Sequence, residues 1–212
     1  MTNAIVYIGD PMCSWCWGFA PVISSIHKDF RNEAPVSIIL GGLHAYDDFA
    51  MSNDYKSNIR HHWEDVHKET GAVFDYQFFN RDNFVLDTEP ACRAVITVRQ
   101  IKPNIVLSFY ESISRSFYSE NKDTTSLKTF KELAENFNID PDEFDQRFNS
   151  EQLKVETSND FQFSKKLGVT GFPTLLVKEG KKLALLTAGY QPYQNLKPII
   201  KDWLNNGLSE AD

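Results

Sequence analysis

The stretch GDPMCSWCWGF, residues 9–19, places Cys13 and Cys16 three positions apart, directly after an apolar run and before an amphipathic one. Cysteines at this spacing have three common uses: half of a zinc site, a structural disulfide or a redox-active dithiol. The chain has only 3 cysteines in 212 residues, so it is not a disulfide-stabilised scaffold. The rest of the sequence has to distinguish the three uses.

The composition is that of an ordinary water-soluble globular chain, with 42% hydrophobic and 24% charged residues. The net charge of -7 and a pI of about 5.3 argue against nucleic acid or an anionic membrane as a main partner. No apolar run approaches the ~20 residues that cross a bilayer. Residues 1–11 predict a strand rather than a secretory signal. We therefore expect a cytoplasmic protein, in a compartment that keeps thiols reduced.

The order of apolar patterns predicts an α/β fold with a helical insertion. Two β-type runs flank an amphipathic helix that contains Pro21, which predicts a right-handed βαβ unit with a parallel strand pair. The later part of the chain predicts only helices, and the end predicts a hairpin and a last helix. The predicted strands are 4–8, 36–40, 174–177 and 183–187, and the predicted helices are 14–30, 54–69, 89–101, 103–118, 125–137, 141–148, 150–167 and 194–204.

This order predicts two domains. Residues 1–44 together with 168–212 would form one α/β domain from two segments, and residues 45–167 would form an inserted, all-helical domain. We expect no residue of the insertion to pair into the central sheet.

Zinc and a purely structural disulfide are both disfavoured. A zinc site needs four ligands, yet no second Cys-x-x-Cys exists and Cys92 stands alone in a predicted helix. The spacings of His61, His62 and His67 do not match the i, i+4 pair that binds zinc from one helix face. A disulfide that closes so short a loop removes little chain entropy and stabilises little.

The position of the two cysteines favours a redox-active dithiol. Cys13 lies where the predicted helix begins, so its thiolate would face unpaired backbone N–H groups and the positive end of the helix dipole. This placement predicts a lowered pKa for Cys13, which would make it the nucleophile and the first cysteine to be alkylated. Cys16 lies one turn later, is expected to be less accessible, and can resolve a mixed disulfide on Cys13.

A second motif, GVTGFPTLLV at residues 168–177, leads a proline directly into a predicted strand. The Phe172–Pro173 bond could be cis and leave the backbone of residues 170–172 as an unpaired edge beside the dithiol. Such an edge can bind an extended peptide by main-chain hydrogen bonds. The alternative is a trans proline that only ends the preceding loop.

Taken together, these motifs resemble the thioredoxin superfamily, and the helical insertion resembles its DsbA-like branch. DPMCSWCWGF, the Gly41-Gly42 pair, DTEPACRAV and GVTGFPTLLV resemble the FrnE-type oxidoreductases in particular. The resemblance implies thiol–disulfide exchange with client proteins or small thiols and disulfides, glutathione among them, without a metal or another cofactor. The dipeptide between the cysteines, Ser14-Trp15, departs from the Gly-Pro of thioredoxins and the Pro-His of DsbA.

The resemblance also implies roles for individual residues. Cys13 corresponds to the nucleophile, Cys16 to the resolving cysteine, and Pro21 to the family's helix kink. The expected substrate-binding residues are Trp15, Thr170, Gly171, Phe172 and Pro173, with Pro173 as the cis-proline that faces the dithiol.

Two residues near these motifs have more than one interpretation. Cys92 is more typical of a small buried core residue than of a third redox centre. His44, directly after the glycine pair, could approach the dithiol and stabilise a thiolate.

Two other functions stay open. Kappa-type glutathione transferases and the related isomerases share this architecture but typically carry serine where this chain has Cys13. A peptide-binding holdase, in which the thiols are incidental, is the other alternative.

Overall fold

Four strands form one mixed sheet at the centre of the molecule. The computed structural model of the chain describes residues 3–208, so residues 1–2 and 209–212 of the predicted first domain lie outside it. The sheet order is β2-β1-β3-β4. β1 pairs with β2 in parallel and with β3 antiparallel, and β3 pairs with β4 antiparallel. The strands are β1 Asn3–Gly9, β2 Val36–Leu40, β3 Thr174–Glu179 and β4 Lys182–Ala188.

Eight α-helices complete the described fold, and their order confirms the predicted thioredoxin-like α/β class with a helical insertion between β2 and β3. The helices are α1 Ser14–Phe30, α2 Asn53–Thr70, α3 Glu89–Ile101, α4 Val106–Tyr118, α5 Leu127–Asn136, α6 Pro141–Phe148, α7 Glu151–Lys166 and α8 Tyr193–Asn206. Within the described chain, residues 45–167 contribute nothing to the sheet, and their one β-bridge joins Ala50 to Val85. Of the described helices, not one is both long and apolar enough to cross a membrane.

The α1 helix covers one face of the sheet with the apolar residues that its sequence period places together. Phe19, Val22, Ile23 and Ile26 are all buried, as their helical spacing predicts. Pro21 lies inside the helix on its exposed side, so its missing N–H faces away from this core. Burial of each large side chain contributes about 1.5–3 kcal/mol, which fixes the start of α1 against the sheet.

The insertion is tied to the sheet by an ion pair between Arg99 on α3 and Asp160 on α7. The two guanidinium–carboxylate distances are 2.7 and 3.0 Å. Asp160 also accepts a hydrogen bond from the Leu40 N–H at 3.0 Å, and Arg99 donates to the Ile38 carbonyl at 3.0 Å. Both helices are therefore fixed against the end of β2, the strand that leads into the candidate site.

One element has no counterpart in the sequence prediction, a 3-10 helix over Tyr76–Asn80. Its Phe78 and Phe79 rings pack on Trp63 of α2, with ring centroids 5.1 and 4.7 Å away. Trp63 is only 2% exposed. The aromatic residues of this stretch, Tyr76, Phe78 and Phe79, follow neither a helical nor a strand period, so tertiary packing rather than local pattern decides its conformation.

Candidate functional site

The two cysteines of the opening motif begin α1. Cys13 is the N-cap residue, its N–H donates to the Asp10 carbonyl at 3.1 Å, and its carbonyl accepts from the Trp17 N–H at 3.0 Å. Cys16 lies one turn further along. Cys13 is 6% exposed and Cys16 is fully buried, which agrees with the expectation that Cys16 is the less accessible sulfur. Both thiols are free in this structure.

The predicted lowering of the Cys13 pKa is wrong for this reduced pair. The hydrogen bond with Cys16 raises the pKa of Cys13 well above its ordinary value, and burial raises it further. The pKa of Cys16 is lowered although burial opposes its ionisation, because the Cys13 thiol and the Asp10 backbone donate hydrogen bonds to its sulfur. The hydroxyls of Tyr7 and Tyr110 act in the same direction. The helix N-terminus alone does not decide which of the two cysteines ionises first, because the two sulfurs compete for one proton.

The second motif lies against the first. The Cys13 sulfur lies 3.7 Å from the Phe172 carbonyl oxygen. The Phe172–Pro173 peptide bond is cis. Pro173 is buried and Phe172 half-buried, whereas Thr170 and Gly171 are exposed. The structure therefore brings the loop of residues 170–173 beside the outer sulfur, with part of its backbone open to solvent.

Gly41, at the end of β2, makes room for this loop. A Cβ atom at Gly41 would lie 1.9 Å from Cζ of the Phe172 ring, far inside van der Waals contact. The glycine therefore allows the Phe172 ring to lie on the β2 backbone, with the Phe172 carbonyl directed at Cys13.

We expect Gly41→Ala to lower the free energy of unfolding by about 1–3 kcal/mol, because the added methyl must displace the Phe172 ring. Urea unfolding measures this loss. Gly171→Ala is the matched control, since its Cβ would have nothing within 4 Å. The control should stay within about 0.5 kcal/mol of the wild type. Equal stability of the two variants would contradict the close packing of Gly41 and Phe172.

A cleft of about 290 Å³ opens beside Cys13, between the start of α1 and the helical insertion. Trp15, Trp63 and Phe172 are among the large side chains that line it. The described residues of its lining include no aspartate, glutamate, lysine or arginine. Cys13 thus lies at the wall of an apolar pocket with little formal charge.

Trp15, expected to contact substrate, is half-buried and borders this cleft. Its ring lies 6.2 Å from that of Tyr190, in a tilted arrangement. One side of the indole is therefore supported by the protein while Trp15 remains part of the cleft wall.

His44 lines the same cleft, but its two ring nitrogens are already engaged. Nδ1 lies 3.1 Å from a carboxylate oxygen of Asp47, and Nε2 lies 2.9 Å from the Tyr55 hydroxyl. The described hydrogen bonds include none between His44 and either cysteine. The structure thus brings His44 to the cleft but does not place it on a sulfur.

Asp10 is a site residue that the sequence pattern did not single out. The carboxylate is fully buried and accepts from the Met12 N–H at 2.8 Å and the Leu43 N–H at 2.7 Å. The Cys92 thiol donates to the Asp10 carboxylate at 3.5 Å. The third cysteine is thus a buried core residue, as expected, but its polar contact with Asp10 was not expected. Asp10 therefore joins the turn before Cys13 to the end of β2 and to α3.

Asp10 should make stability depend on pH. Burial raises its pKa above the ordinary 3.8 in spite of these hydrogen bonds. A raised folded-state pKa contributes stability that is complete below the ordinary value and is lost as pH rises through the folded value. We expect the wild type to lose stability relative to Asp10→Asn as pH rises from about 4. Urea unfolding at a series of pH values measures the difference, and two parallel curves would contradict this assignment.

Residues 5–201 match the family model of the DSBA-like thioredoxin domain. The chain belongs to the DSBA-like thioredoxin family. A solved structure that is similar over nearly its full length is that of a candidate protein disulfide isomerase from Nitrosomonas europaea. The two share 37% identity and a TM-score of 0.91, covering 97% of this chain and 98% of that one.

The fold is also shared with solved structures of lower sequence identity. One is the cytosolic disulfide reductase DsbM from Pseudomonas aeruginosa, solved with GSH, with 21% identity, a TM-score of 0.76, and coverage of 95% of this chain and 99% of that one. A curated relative is the ClpXP adapter protein SpxH of Halalkalibacterium halodurans, 21% identical over 207 residues. This alignment covers 92% of the present chain but 65% of the adapter, so the chain spans less than two thirds of that relative's length.

Proposed function

We propose that this DsbA-like protein is a thiol–disulfide oxidoreductase in which Cys13 is the nucleophile and Cys16 the resolving cysteine. The observation that carries the proposal is the position of Cys13. Its sulfur lies at the wall of the apolar cleft and 3.7 Å from the Phe172 carbonyl, with Cys16 fully buried behind it. Only the Cys13 sulfur can therefore react with a client disulfide. Only the Cys16 sulfur can then attack the resulting mixed disulfide and release the client.

The reaction balances with the residues present. As Cys13 attacks a client disulfide, its proton passes to the Cys16 thiolate, to which the Cys13 thiol donates a hydrogen bond. A bond forms between Cys13 and one client sulfur, and the other client sulfur leaves as a thiolate and takes the proton back from Cys16. Cys16 then forms a bond with Cys13 and releases the second client sulfur. Two electrons pass to the client, and the protein is oxidised to its disulfide.

The proposed client is an extended peptide with an apolar side chain next to its cysteine. The exposed backbone at Thr170 and Gly171 supports main-chain pairing with such a peptide. The cleft of about 290 Å³, with Trp15 and Phe172 in its wall, suits one aromatic or branched side chain.

In this proposal glutathione is the thiol that reduces the protein disulfide back to the dithiol. It is not a cosubstrate that becomes conjugated to another molecule. It carries two carboxylates, and the described lining of the cleft has no lysine or arginine to pair with them. The presence of Cys13, where kappa-type transferases typically carry serine, points the same way. The structure of the relative DsbM with GSH supports glutathione as a partner.

Three further parts of the proposal rest on resemblance and sequence. The motifs around Cys13 and Pro173 support a FrnE-type subgroup within the DsbA-like family. The order of the elements supports one domain of residues 1–44 with 168–212 and an inserted domain of residues 45–167. A cytoplasmic location is supported by the relative DsbM, which is a cytosolic reductase.

The test is catalysis of disulfide reduction in insulin, together with the equilibrium between the dithiol and glutathione. A reduction potential near or below about -180 mV supports a reductase or isomerase, and one near about -120 mV supports an oxidant. The transferase alternative would replace this proposal if the wild-type protein catalysed no disulfide exchange in either direction and did form glutathione conjugates.

A binding function is the second candidate, because the curated relatives include ClpXP adapter proteins. On this alternative, the protein holds a client and its thiols are incidental. A Cys13→Ala, Cys16→Ala double variant separates the two. Full client protection or delivery by this variant supports binding alone, whereas its loss together with exchange supports the oxidoreductase.

A further inference from the structure

A second groove lies on the face of the sheet that does not carry α1. Its volume is about 580 Å³, compared with about 290 Å³ for the cleft beside Cys13. Leu176 of β3 lines this groove and packs with Val6 and Ile8, whereas the core that contains α1 includes Leu175 instead. Successive residues of a strand point to opposite faces, so the groove and α1 lie on opposite sides of the sheet.

The floor of this groove is apolar and open to solvent. Leu183 and Leu185 of β4 line it and are 40% and 63% exposed. β4 is an edge strand of the sheet, and within residues 3–208 no further strand covers its outer side. The loop between α7 and β3 forms the remaining wall. The described lining contains no charged side chain, so a ligand that fills the groove has to supply apolar side chains.

Lysines flank this apolar floor. Lys165 and Lys166 lie in the last turn of α7, directly before the loop wall, Lys178 lies on the groove face of β3, and Lys181 lies in the β3–β4 turn. All are exposed, and the described ion pairs and hydrogen bonds include none to their ammonium groups. The Glu179 carboxylate accepts a backbone hydrogen bond beyond the end of α8, at 2.7 Å. On a chain of net charge -7, the groove therefore has a positively charged rim.

One end of the groove reaches the loop that carries Pro173. The groove lining includes residues 170–172, and Phe172 also lines the cleft beside Cys13. The Gly189 N–H donates to the Pro173 carbonyl at 2.7 Å, which fixes the end of β4 to this loop. A client chain that runs along residues 170–172 past Cys13 can therefore continue into the groove.

We propose that this groove binds an acidic, apolar segment of the client polypeptide, separate from the residues next to the reactive cysteine of the client. The proposal rests on the proposed oxidoreductase function. The groove has room for more than the one side chain assigned to the Cys13 cleft, and its lysines can pair with carboxylates of the segment. The binding is non-covalent and leaves the exchange chemistry unchanged.

The charge of the groove disfavours two other occupants. A second copy of the chain that packed on this face would bring two lysine rims together, and like charges across an interface weaken it. An anionic membrane would attract the rim but repel the rest of a chain with a net charge of -7. An acidic polypeptide segment matches both the apolar floor and the positive rim.

Binding is tested by fluorescence anisotropy at low salt, with a fluorescein-labelled, cysteine-free peptide in which glutamate and valine alternate. We expect Leu185→Thr to weaken the binding about tenfold through lost apolar contact, and Lys178→Gln about threefold. The same peptide with lysine in place of glutamate should bind about tenfold more weakly. Leu185 is largely exposed, so threonine should leave the fold intact, which circular dichroism checks.

Matched controls lie on α8, which packs in the same core as α1 and so on the other side of the sheet. Ile199→Thr removes a similarly exposed apolar side chain and Lys201→Gln an exposed charge, so both should bind the peptide as the wild type does. Equal weakening by control and groove variants, or equal affinity for the glutamate and lysine peptides, overturns the proposal. A dimer that Leu185→Thr dissociates in sedimentation, or binding to phosphatidylglycerol vesicles without binding of the peptide, overturns it as well.

Exchange kinetics test whether the occupant is the client. One substrate is a peptide disulfide that continues into the glutamate–valine segment, and the other is the disulfide of mercaptoethanol. The ratio of kcat/KM for the peptide to that for the small disulfide should fall about tenfold in Leu185→Thr, through KM, and stay constant in Ile199→Thr. An unchanged ratio in Leu185→Thr overturns the client as occupant. Absence of exchange with both substrates in the wild type would refute the oxidoreductase function instead, and the anisotropy measurement does not depend on exchange.

Discussion

Cys13→Ser is expected to lower the rate of disulfide exchange on the order of 10³-fold or more, because a hydroxyl cannot form or break a mixed disulfide. The sulfur lost is the one that borders the cleft and contacts the Phe172 carbonyl. The turn around it should persist, since it is built from backbone hydrogen bonds of the same residue. Insulin reduction with glutathione as the reductant measures the loss.

The other cysteines provide the controls. Cys16→Ala should trap a client as a mixed disulfide on Cys13, because the resolving sulfur is gone. Cys92→Ala should keep most of the exchange activity, since its thiol contacts Asp10 and no hydrogen bond joins it to either cysteine in the described structure. A mixed disulfide found on Cys92, or exchange that survives Cys13→Ser, would contradict the assigned roles.

Much of the fold could be predicted because its elements have strong local signals. The α1 helix runs over Ser14–Phe30, the predicted range, because its apolar spacing, the turn before it and the change of pattern after Phe30 all agree. The β1–β2 parallel pair follows from the crossover of a βαβ unit, in which one helix returns the chain to the same end of the sheet. The 3-10 helix over Tyr76–Asn80 could not be predicted, because contact with Trp63 rather than local period determines it.

The site was only partly predictable, for a related reason. The proximity of Cys13 and the Phe172 loop follows from two motifs at fixed places in one fold. The role of Asp10 comes from packing between distant parts of the chain, since the Leu43 N–H and the Cys92 thiol both donate to its carboxylate. Strand alternation predicts that Tyr7 shares a face of β1 with Ile5, and both belong to the core cluster that contains Phe19 of α1.

The direction of the Cys13 pKa was wrong for a physical reason that sequence spacing cannot express. A helix N-terminus favours a thiolate at Cys13, but the inner sulfur receives more hydrogen bonds, and the two sulfurs compete for one proton. The number of donors around Cys16 depends on the placement of β1 and α4, which only the folded structure determines.

Asp160→Ala is the second large effect, and it acts on stability. We expect a loss of about 3–5 kcal/mol in the free energy of unfolding, because the substitution leaves the Arg99 guanidinium and the Leu40 N–H without their shared partner. Asp160 is 8% exposed, and its two contacts with Arg99 are 2.7 and 3.0 Å long. Urea unfolding measures the change.

An exposed ion pair supplies the control for Asp160. Glu143→Ala removes a pair with Arg147, at 2.9 Å, whose side chains are 43% and 44% exposed, and should cost at most about 1 kcal/mol. Similar losses in both variants would mean that the Asp160 pair is no stronger than a surface contact.

Asp160 should also affect exchange at temperatures where the variant is still folded. Its carboxylate holds the N–H of Leu40, the last residue of β2, and the next residue, Gly41, supports the Phe172 ring. Greater mobility at this end of β2 would therefore also displace the Phe172 carbonyl, which lies 3.7 Å from the Cys13 sulfur. We expect the folded Asp160→Ala protein to exchange more slowly than Glu143→Ala under the same conditions. Unchanged exchange would show that the Arg99–Asp160 pair stabilises the fold without positioning the Phe172 loop.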